Sequence, residues 1–562
     1  MAYGRTFFIE YIRKCFFKKQ IGTMGFYANN TTANYIFSNL SIDKLNYTMH
    51  LQIKTTLMRI LTIISLFVCS FCFGQPKKIV NIASTVSEER LKKNLYYLAS
   101  EELEGRVMGS YGDTLASEFI VNCFKENHLV APYDNGKSYF QTVNAFKKNL
   151  RQSEFIIGDK KFENWNGWIF ALRSAETVQL DNLPVVFAGY GIENKLYNDF
   201  ANIDVKGKAV LLLAGQPRDS AGNYLLSGTK QAAVVASYQN ILKEKGVALI
   251  LLYNNRFSAD SLQLSKSSFQ TVYRNPFLPA NSLPVILLSE ERANDLLTAS
   301  HKTIKGLAQE ISKTLRPQSA QLNTKIGYHI QIDITEEKAP NVIGIIEGSD
   351  SSAGCIILSA HHDHVGRDGK EIYYGAVDNA SGTVAFMEIA ILMNKALEKG
   401  LRPKRTIIFA SYTGEEKGLL GSYHFAANPL LPIEKTRAVL NIDMMGRVDT
   451  FYTGKRADSN YAYILVVDSL NRGLRKALFS ANEKIGKLKL DTYYEQPQFM
   501  QRRLMGSDQY PFFLKGVPFI RIDCGFSKDY HQPTDTPDKI NYALLSEQVK
   551  LAFLTTWNIA ND

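Results

Sequence analysis

Residues 354–366 read GCIILSAHHDHVG. The run from Cys355 to Ala360 has strand length, is bounded by Gly354, and is apolar at nearly every position, which is the pattern of a strand buried on both faces rather than one. At its end it delivers His361, Asp363 and His364 in quick succession, the place where open α/β sheets keep their reactive side chains. Working outward, TGEEKGLLGS (413–422) follows the apolar run RTIIFASY, and NIDMMGR (441–447) continues AVLNID. GAVDNASG (375–382) is a Gly-rich turn ahead of a helix, and DYHQPTDT (529–536) is a turn-rich segment near the carboxyl end.

From residue 321 onward, apolar runs and helical stretches alternate: IGYHIQIDI, NVIGIIEG, GCIILSAH, a helix from Ser381 to Lys399, RTIIFASY, a helix near 418–427, and AVLNIDMM. Such alternation predicts an α/β fold, a mainly parallel mixed sheet sandwiched by helices. The helix after Ser381 is apolar almost all round and stops at Gly400, so it is expected inside the core. Further upstream, Thr85 and Glu88 form a capping-box pattern before Leu91, Leu95 and Leu98, and residues 115–129 repeat their apolar positions at three and four. Residues 75–150 are therefore helices of the same unit as 321–562. Between them, 151–320 changes character. Short β-rich runs at 184–191, 208–215, 247–254 and 283–289 are separated by Gly, Asn, Asp and Pro, and no His/Asp/Glu group of metal-ligand type accompanies them. This region is expected to be an inserted β-rich domain without chemistry of its own.

A chain of 562 residues is too long for one ordinary core. Its 45% hydrophobic and 21% charged content is that of a globular protein. The formal charge of +11 suggests nucleic acid only until it is mapped: residues 1–74 hold eight Lys/Arg against Glu10 and Asp43, leaving 57 basic and 52 acidic residues elsewhere, with no long basic run. No nucleic-acid partner is expected. Residues 58–74, MRILTIISLFVCSFCFG, are too short for a comfortable span and follow Lys54 and Arg59, so they read as a signal peptide with cleavage after Gly74. A lipid anchor on Cys69 or Cys72 is the weaker alternative. Residues 1–48 read as an over-extended start or a disordered tail, with Met49 and Met58 as plausible true starts. Export to the periplasm, the cell surface or the medium is expected, with no membrane span after cleavage. The remaining Cys123, Cys355 and Cys524 are too scattered for a disulfide framework. Nothing in the sequence specifies an oligomeric state.

The chemistry lies in the five segments. His with carboxylate suits Zn²⁺, and Asp363 on the same side of an extended chain as His361 is placed to orient that imidazole. A wet histidine cluster has the same appearance. Asp378 is equally a helix cap, together with Asn379 or Ser381. Glu415 and Glu416 are adjacent carboxylates that repel unless one binds metal and the other takes a proton from metal-bound water; a solvated loop is the alternative. Asp443 ends an apolar run, where an unpaired carboxylate is costly, so a ligand or ion-pair role is favoured. His531, beside Tyr530, is by itself no more than a loop histidine.

Taken together and in this order, the five segments resemble the co-catalytic di-zinc aminopeptidase family, which includes secreted bacterial leucyl aminopeptidases and is related to the glutamate carboxypeptidases. The likeness covers 321–562 and the helices near 85–130, including the EGR at 104–106. Residues 151–320, with AGYG and DVKGKAV, resemble the protease-associated domain inserted in such enzymes. The resemblance implies two Zn²⁺, with Asp378 bridging, His361 and Asp443 completing one ion, and Glu416 and His531 the other. It makes Glu415 the general base, Asp363 the partner of His361, and Tyr530 the hydroxyl that polarises the scissile carbonyl. It assigns no ligand role to His362, His364 or His424, and it implies a cis peptide between Asp378 and Asn379. The implied activity is zinc-dependent exopeptidase action on peptides by metal-activated water, most closely that of an aminopeptidase. The alternatives are a carboxypeptidase or dipeptidase, which needs a basic pocket for which Arg447, Arg502 and Arg503 are the nearest candidates, and a non-catalytic binding protein of the same architecture. Specificity is expected to reside in loops near 255–280 and 484–510.

Overall fold

The computed structural model of the protein describes residues 77–562 except 165, 171–175, 196, 227–240, 256–270, 277–282, 451–459, 471 and 487. The segments 1–48 and 58–74, with Met49, Met58, Cys69 and Cys72, lie outside the described residues, as does much of the 255–280 loop.

Two long antiparallel strands organise the fold. Phe140–Ile157 pairs with Ala320–Ile346 from Phe140 opposite Val342 to Ile157 opposite Ile326, with a bulge between Leu150 and Gln152. IGYHIQIDI and NVIGIIEG, which read as two strands, are thus two ends of one. The stretch between them, Thr335 to Lys338, is polar and largely exposed, so no alternation marks it as a strand; the partner strand supplies its backbone hydrogen bonds instead.

Among the described residues fifteen strands join one sheet. Along the edge of Ala320–Ile346 opposite Phe140–Ile157, its carboxyl-terminal end pairs with Thr406–Tyr412, beyond which run Cys355–His361, Thr436–Ile442 and Phe519–Asp523, these four mutually parallel, followed by the antiparallel Tyr461–Val467. Its amino-terminal end pairs along the same edge with Val178–Phe187, beyond which come the parallel strands Ala209–Leu213, Leu249–Tyr253 and Val285–Leu288. The α/β fold with its mainly parallel sheet is therefore the architecture found.

The expected burial on both faces holds residue by residue. Ile356, Leu358 and Ala360 enter one core with the helices Glu88–Leu98, Tyr111–Glu126, Gly382–Glu398 and Tyr542–Asn561. Cys355 and Ile357 enter another with Ile408, Tyr412, Phe425 and Phe519. Each large side chain so buried contributes about 1.5–3 kcal/mol. Residues 155–332 form a separate core around Phe155, Trp168 and Tyr328. That region also holds two helices, Glu290–Leu297 and Ile304–Thr314, which bury Leu296, Leu297, Leu307 and Ile311. Short as they are, their periodicity was masked by the β-rich runs around them.

Two helix starts shift from the sequence reading. Ser87, not Thr85, caps Glu88–Leu98 by accepting from the Arg90 N–H at 3.1 Å, while the Thr85 hydroxyl donates to the Ile82 carbonyl. The next helix begins at Tyr111, capped by Ser110. Among the described residues one helical stretch, Ala376–Glu398, is long and apolar enough to cross a membrane, and it is buried in the core. Cys123, Cys355 and Cys524 are all free and buried.

Candidate metal centre and active site

All five segments converge beyond the carboxyl ends of the parallel strands. His361 is the last residue of its strand, Asp443 follows Ile442, Glu415 follows Thr406–Tyr412 by three residues, and His531 lies in the turn after Phe519–Asp523. Asp378 sits in the kinked turn Ala376–Ser381 that opens the central helix, and its peptide bond to Asn379 is cis. Glycine is required at two turns. Gly375 (φ 57°) has the His364 ring and the Asp378 carbonyl where a Cβ would stand, and Gly414 (φ 68°) has the Met108 sulfur there.

His361 Nε2 lies 3.4 Å from Asp378 Oδ1 and 3.4 Å from Asp443 Oδ1. His531 Nε2 lies 3.0 Å from Asp378 Oδ2 and 3.1 Å from Glu416 Oε1. Two groups result, His361–Asp378–Asp443 and His364–Asp378–Glu416–His531, each with its ligand atoms within 4.8 Å of one another, and Asp378 belongs to both. His364, given no role by the sequence reading, is in the second group: its Nδ1 is 3.0 Å from Glu416 Oε1, and its buried Nε2 has no hydrogen-bond partner among the described residues. The strand ends at His361, so strand alternation does not determine the direction of His364, and no local signal identified it.

Asp363 does more than orient an imidazole. Its Oδ1 is 3.6 Å from His361 Nδ1, but its carboxylate also accepts the backbone N–H of Glu415 at 3.0 Å and of Glu416 at 3.3 Å. The Tyr530 ring stacks on His531, centroids 3.9 Å apart. His362 turns away into a buried network with Asp113, Ser117 and Ser411. His424 lies outside both groups.

The electrostatics fit a cation. Burial opposes charge on His361, yet Glu415 and the carboxylates of Asp363, Asp378 and Asp443 outweigh it and raise the imidazole well above its ordinary value. Burial likewise opposes charge on His531, but Glu416 and Asp378 push it up to about 11. Burial raises Asp378, and the imidazoles of His361 and His531 more than reverse that, holding the carboxyl well below the usual range. Glu415 goes the other way: burial, with Glu416 and Asp508 nearby, raises it well above an ordinary glutamate. A buried cluster that draws protons onto its imidazoles to balance its carboxylates is a cluster suited to divalent ions, and the His/Asp/Glu donor set is that of zinc.

Supporting residues that the sequence reading missed hold these loops. Arg106 is fully buried and makes no ion pair among the described residues; it donates to the carbonyls of His362, Tyr374 and Gly375 at 2.8, 2.8 and 3.0 Å and to that of Leu98. It thereby ties the His361 segment to the Asp378 turn, and burial lowers it to about 10. Asp535 accepts the N–H groups of Val377 and Asp378. Asn341 bridges Thr413 and Gly421 across the Glu415–Glu416 loop, and Asn275, which follows the strand Thr271–Arg274 paired to Phe140–Ile157, donates to the Gly418 carbonyl at 3.0 Å. Arg447 pairs with Asp529 at 2.8 Å and does not line the cavity beside the cluster, whereas Arg502, Arg503 and Arg521 do.

The strand ends of the parallel sheet thus bring together two carboxylate–imidazole groups, each able to hold a metal ion, on one shared aspartate. Residues 341–555 match Peptidase family M28. Glutamate carboxypeptidase 2 homolog of Caenorhabditis elegans is 33% identical over 418 residues, 65% of this chain and 51% of that protein. Aminopeptidase NAALADL1 of Mus musculus is 36% identical over 122 residues, 21% of this chain and 15% of that protein. The chain thus spans about half the length of these curated relatives, or less. The aminopeptidase from Aneurinibacillus sp. strain AM-1 shares the fold, with TM-score 0.52 at 18% identity, over 85% of this chain and 95% of that one.

Proposed function

We propose that the protein is an exported zinc-dependent exopeptidase, an aminopeptidase that removes N-terminal residues from peptides. The observation that carries this reading is the sharing of Asp378 by two ligand groups, with Glu415 beside them on the wall of a cavity of about 100 Å³. His361, Asp378 and Asp443 would hold one Zn²⁺, and Asp378, Glu416 and His531 the second. The ions supply Lewis-acid polarisation of a carbonyl and acidification of water. Glu415, its carboxyl raised by burial, accepts a proton near neutral pH and returns it to the leaving amine. Asp363 fixes the Glu415 backbone for this transfer, and the Tyr530 hydroxyl, kept protonated by burial and the surrounding carboxylates, donates to the carbonyl oxygen. Residues 151–320 are a non-catalytic, protease-associated insert in this reading, and residues 58–74 are the leader that directs export.

Release of amine from aminoacyl anilides by full-length protein reconstituted with zinc tests it. Activity is expected to disappear with chelator and to fall about 10²–10⁴-fold in kcat in Glu415→Gln, with metal content retained. Cleavage of acyl peptides with a free C-terminal carboxylate and not of anilides moves the assignment to a carboxypeptidase. Absence of bound zinc by elemental analysis favours a binding protein. Mature protein beginning before Met49 overturns the leader.

A further inference from the structure

Three imidazoles meet at Asp378, and the reading above gives a role to His361 and His531 but none to His364. The His364 ring is fully buried, and its only polar partners among the described residues are ligand carboxylates: Nδ1 lies 3.0 Å from Glu416 Oε1 and 4.0 Å from Asp378 Oδ2. His531 Nε2 faces the same two oxygens, 3.1 Å from that of Glu416 and 3.0 Å from that of Asp378. Donor atoms at about 2.0–2.2 Å from one zinc stand about 3.3–3.6 Å apart in a tetrahedron, so these four separations bracket what a single ion requires. The chain holds the ring in place. The His364 N–H donates to the Arg106 carbonyl at 3.2 Å, and Gly375 leaves the space in which the ring stands, since a Cβ there would fall 2.5 Å from it. The cavity beside the cluster is an independent observation: among the described residues His361, Asp378, Glu415 and Asp443 wall it, and His364, Glu416 and His531 do not. Although the His531 side chain is 33% exposed, its Nε2 is turned inward to the two carboxylates.

From this geometry we propose that His364 Nδ1 is a fourth protein ligand at the Asp378–Glu416–His531 position. The inference rests on the zinc reading above and makes the two metal positions unequal. Four protein donors complete a tetrahedral zinc site, the arrangement of a structural ion, whereas the three of His361, Asp378 and Asp443 leave one place open. That open place faces the cavity on the side where Glu415 stands, so water and substrate are received there. The closed position holds the Asp378 turn and the loops of Glu416 and His531 together. A different role, in which His364 only hydrogen-bonds Glu416 while Asp378, Glu416 and His531 are the sole protein ligands, predicts a smaller ligand count.

X-ray absorption at the zinc edge, on full-length protein loaded with two equivalents of zinc, counts the imidazoles directly and needs no variant to fold. Three imidazoles shared by two ions, about 1.5 per zinc, is the expected result. Two imidazoles, about 1.0 per zinc, overturns the proposal and leaves the zinc reading intact. Failure to bind zinc at all overturns both. Cobalt(II), given at one equivalent as a probe, is expected to enter the closed position first and to show the intense visible absorption of a four-coordinate ion. The side-chain amide in His364→Asn keeps a hydrogen bond to Glu416 but is a weak ligand. In that variant the absorption is expected to drop to that of a five- or six-coordinate ion, and chelator competition to show the tighter zinc bound about 10²–10³-fold more weakly. A His364→Asn spectrum like the parent's overturns the proposal whatever the affinity, because losing a hydrogen bond to a ligand weakens binding without changing the coordination number.

Discussion

At the two ends of the Ala320–Ile346 strand the sheet is built alike and used differently. Cys355–His361, Thr406–Tyr412 and Thr436–Ile442 are parallel, buried on both faces and capped at their carboxyl ends by His361, Glu415 and Asp443. Ala209–Leu213, Leu249–Tyr253 and Val285–Leu288 are likewise parallel and largely buried, yet they run out into Ala214, Asn254 and Ser289. Backbone geometry is common to both halves, and what separates a candidate active site from a scaffold is the side chain at each strand end. The charged half also needs extra fastening, since its loops carry buried carboxylates that repel, and Arg106, Asp535 and Asn341 provide it.

The sharpest way to break the contrast is to remove that fastening. Arg106→Met leaves four carbonyls without their donor at the root of the metal loops, so the protein is expected to lose about 3–5 kcal/mol in urea unfolding, with zinc content and hydrolysis falling together. A variant as stable as the parent shows that the loops hold themselves.

A smaller effect asks whether the second half is inert. Asn275→Ala removes the hydrogen bond from the 151–320 stretch of sequence to Gly418, in the loop that carries Glu415 and Glu416. One lost hydrogen bond of about 1 kcal/mol predicts a kcat lower by about five- to tenfold with KM little changed. An unchanged kcat separates the halves functionally.

The smallest effect on hydrolysis belongs to the second half alone. Burial pushes the Asp199 carboxyl up to about 6, although the Tyr190 and Ile192 N–H groups and the Tyr197 hydroxyl all donate to it. Its folded value lies above the unfolded one, so the folded state holds the proton more tightly. Stability from this group is therefore complete below about pH 4 and lost as the pH rises through 6, by up to about 3 kcal/mol. Denaturant unfolding of Asp199→Asn at pH 4.5 and 7 is expected to lack that slope, while hydrolysis is retained. A slope identical to the parent's places the titration elsewhere.

Much of this was legible in the sequence because buried parallel strands leave continuous apolar runs, and a His, Asp or Glu at the end of such a run has few reasons to be there. That logic located His361, Glu415 and Asp443, and the order of segments added Asp378, Glu416 and His531. His364 and the 335–338 stretch escaped because neither has a period: one lies past the end of its strand, and the other is a polar strand interior whose hydrogen bonds come from a distant partner. Arg106 was quoted within its EGR motif, but its role as a clamp depends on four carbonyls from separate segments.

Local pattern, then, determined the strands, the turns and the identity of the reactive side chains, since burial and periodicity are written residue by residue. Tertiary structure alone decided that His364 joins the second ligand group, that Asn275 reaches the loop of Glu415 and Glu416, and that Arg503 rather than Arg447 lines the cavity. These depend on distances between residues tens to hundreds of positions apart, which only the packed sheet fixes.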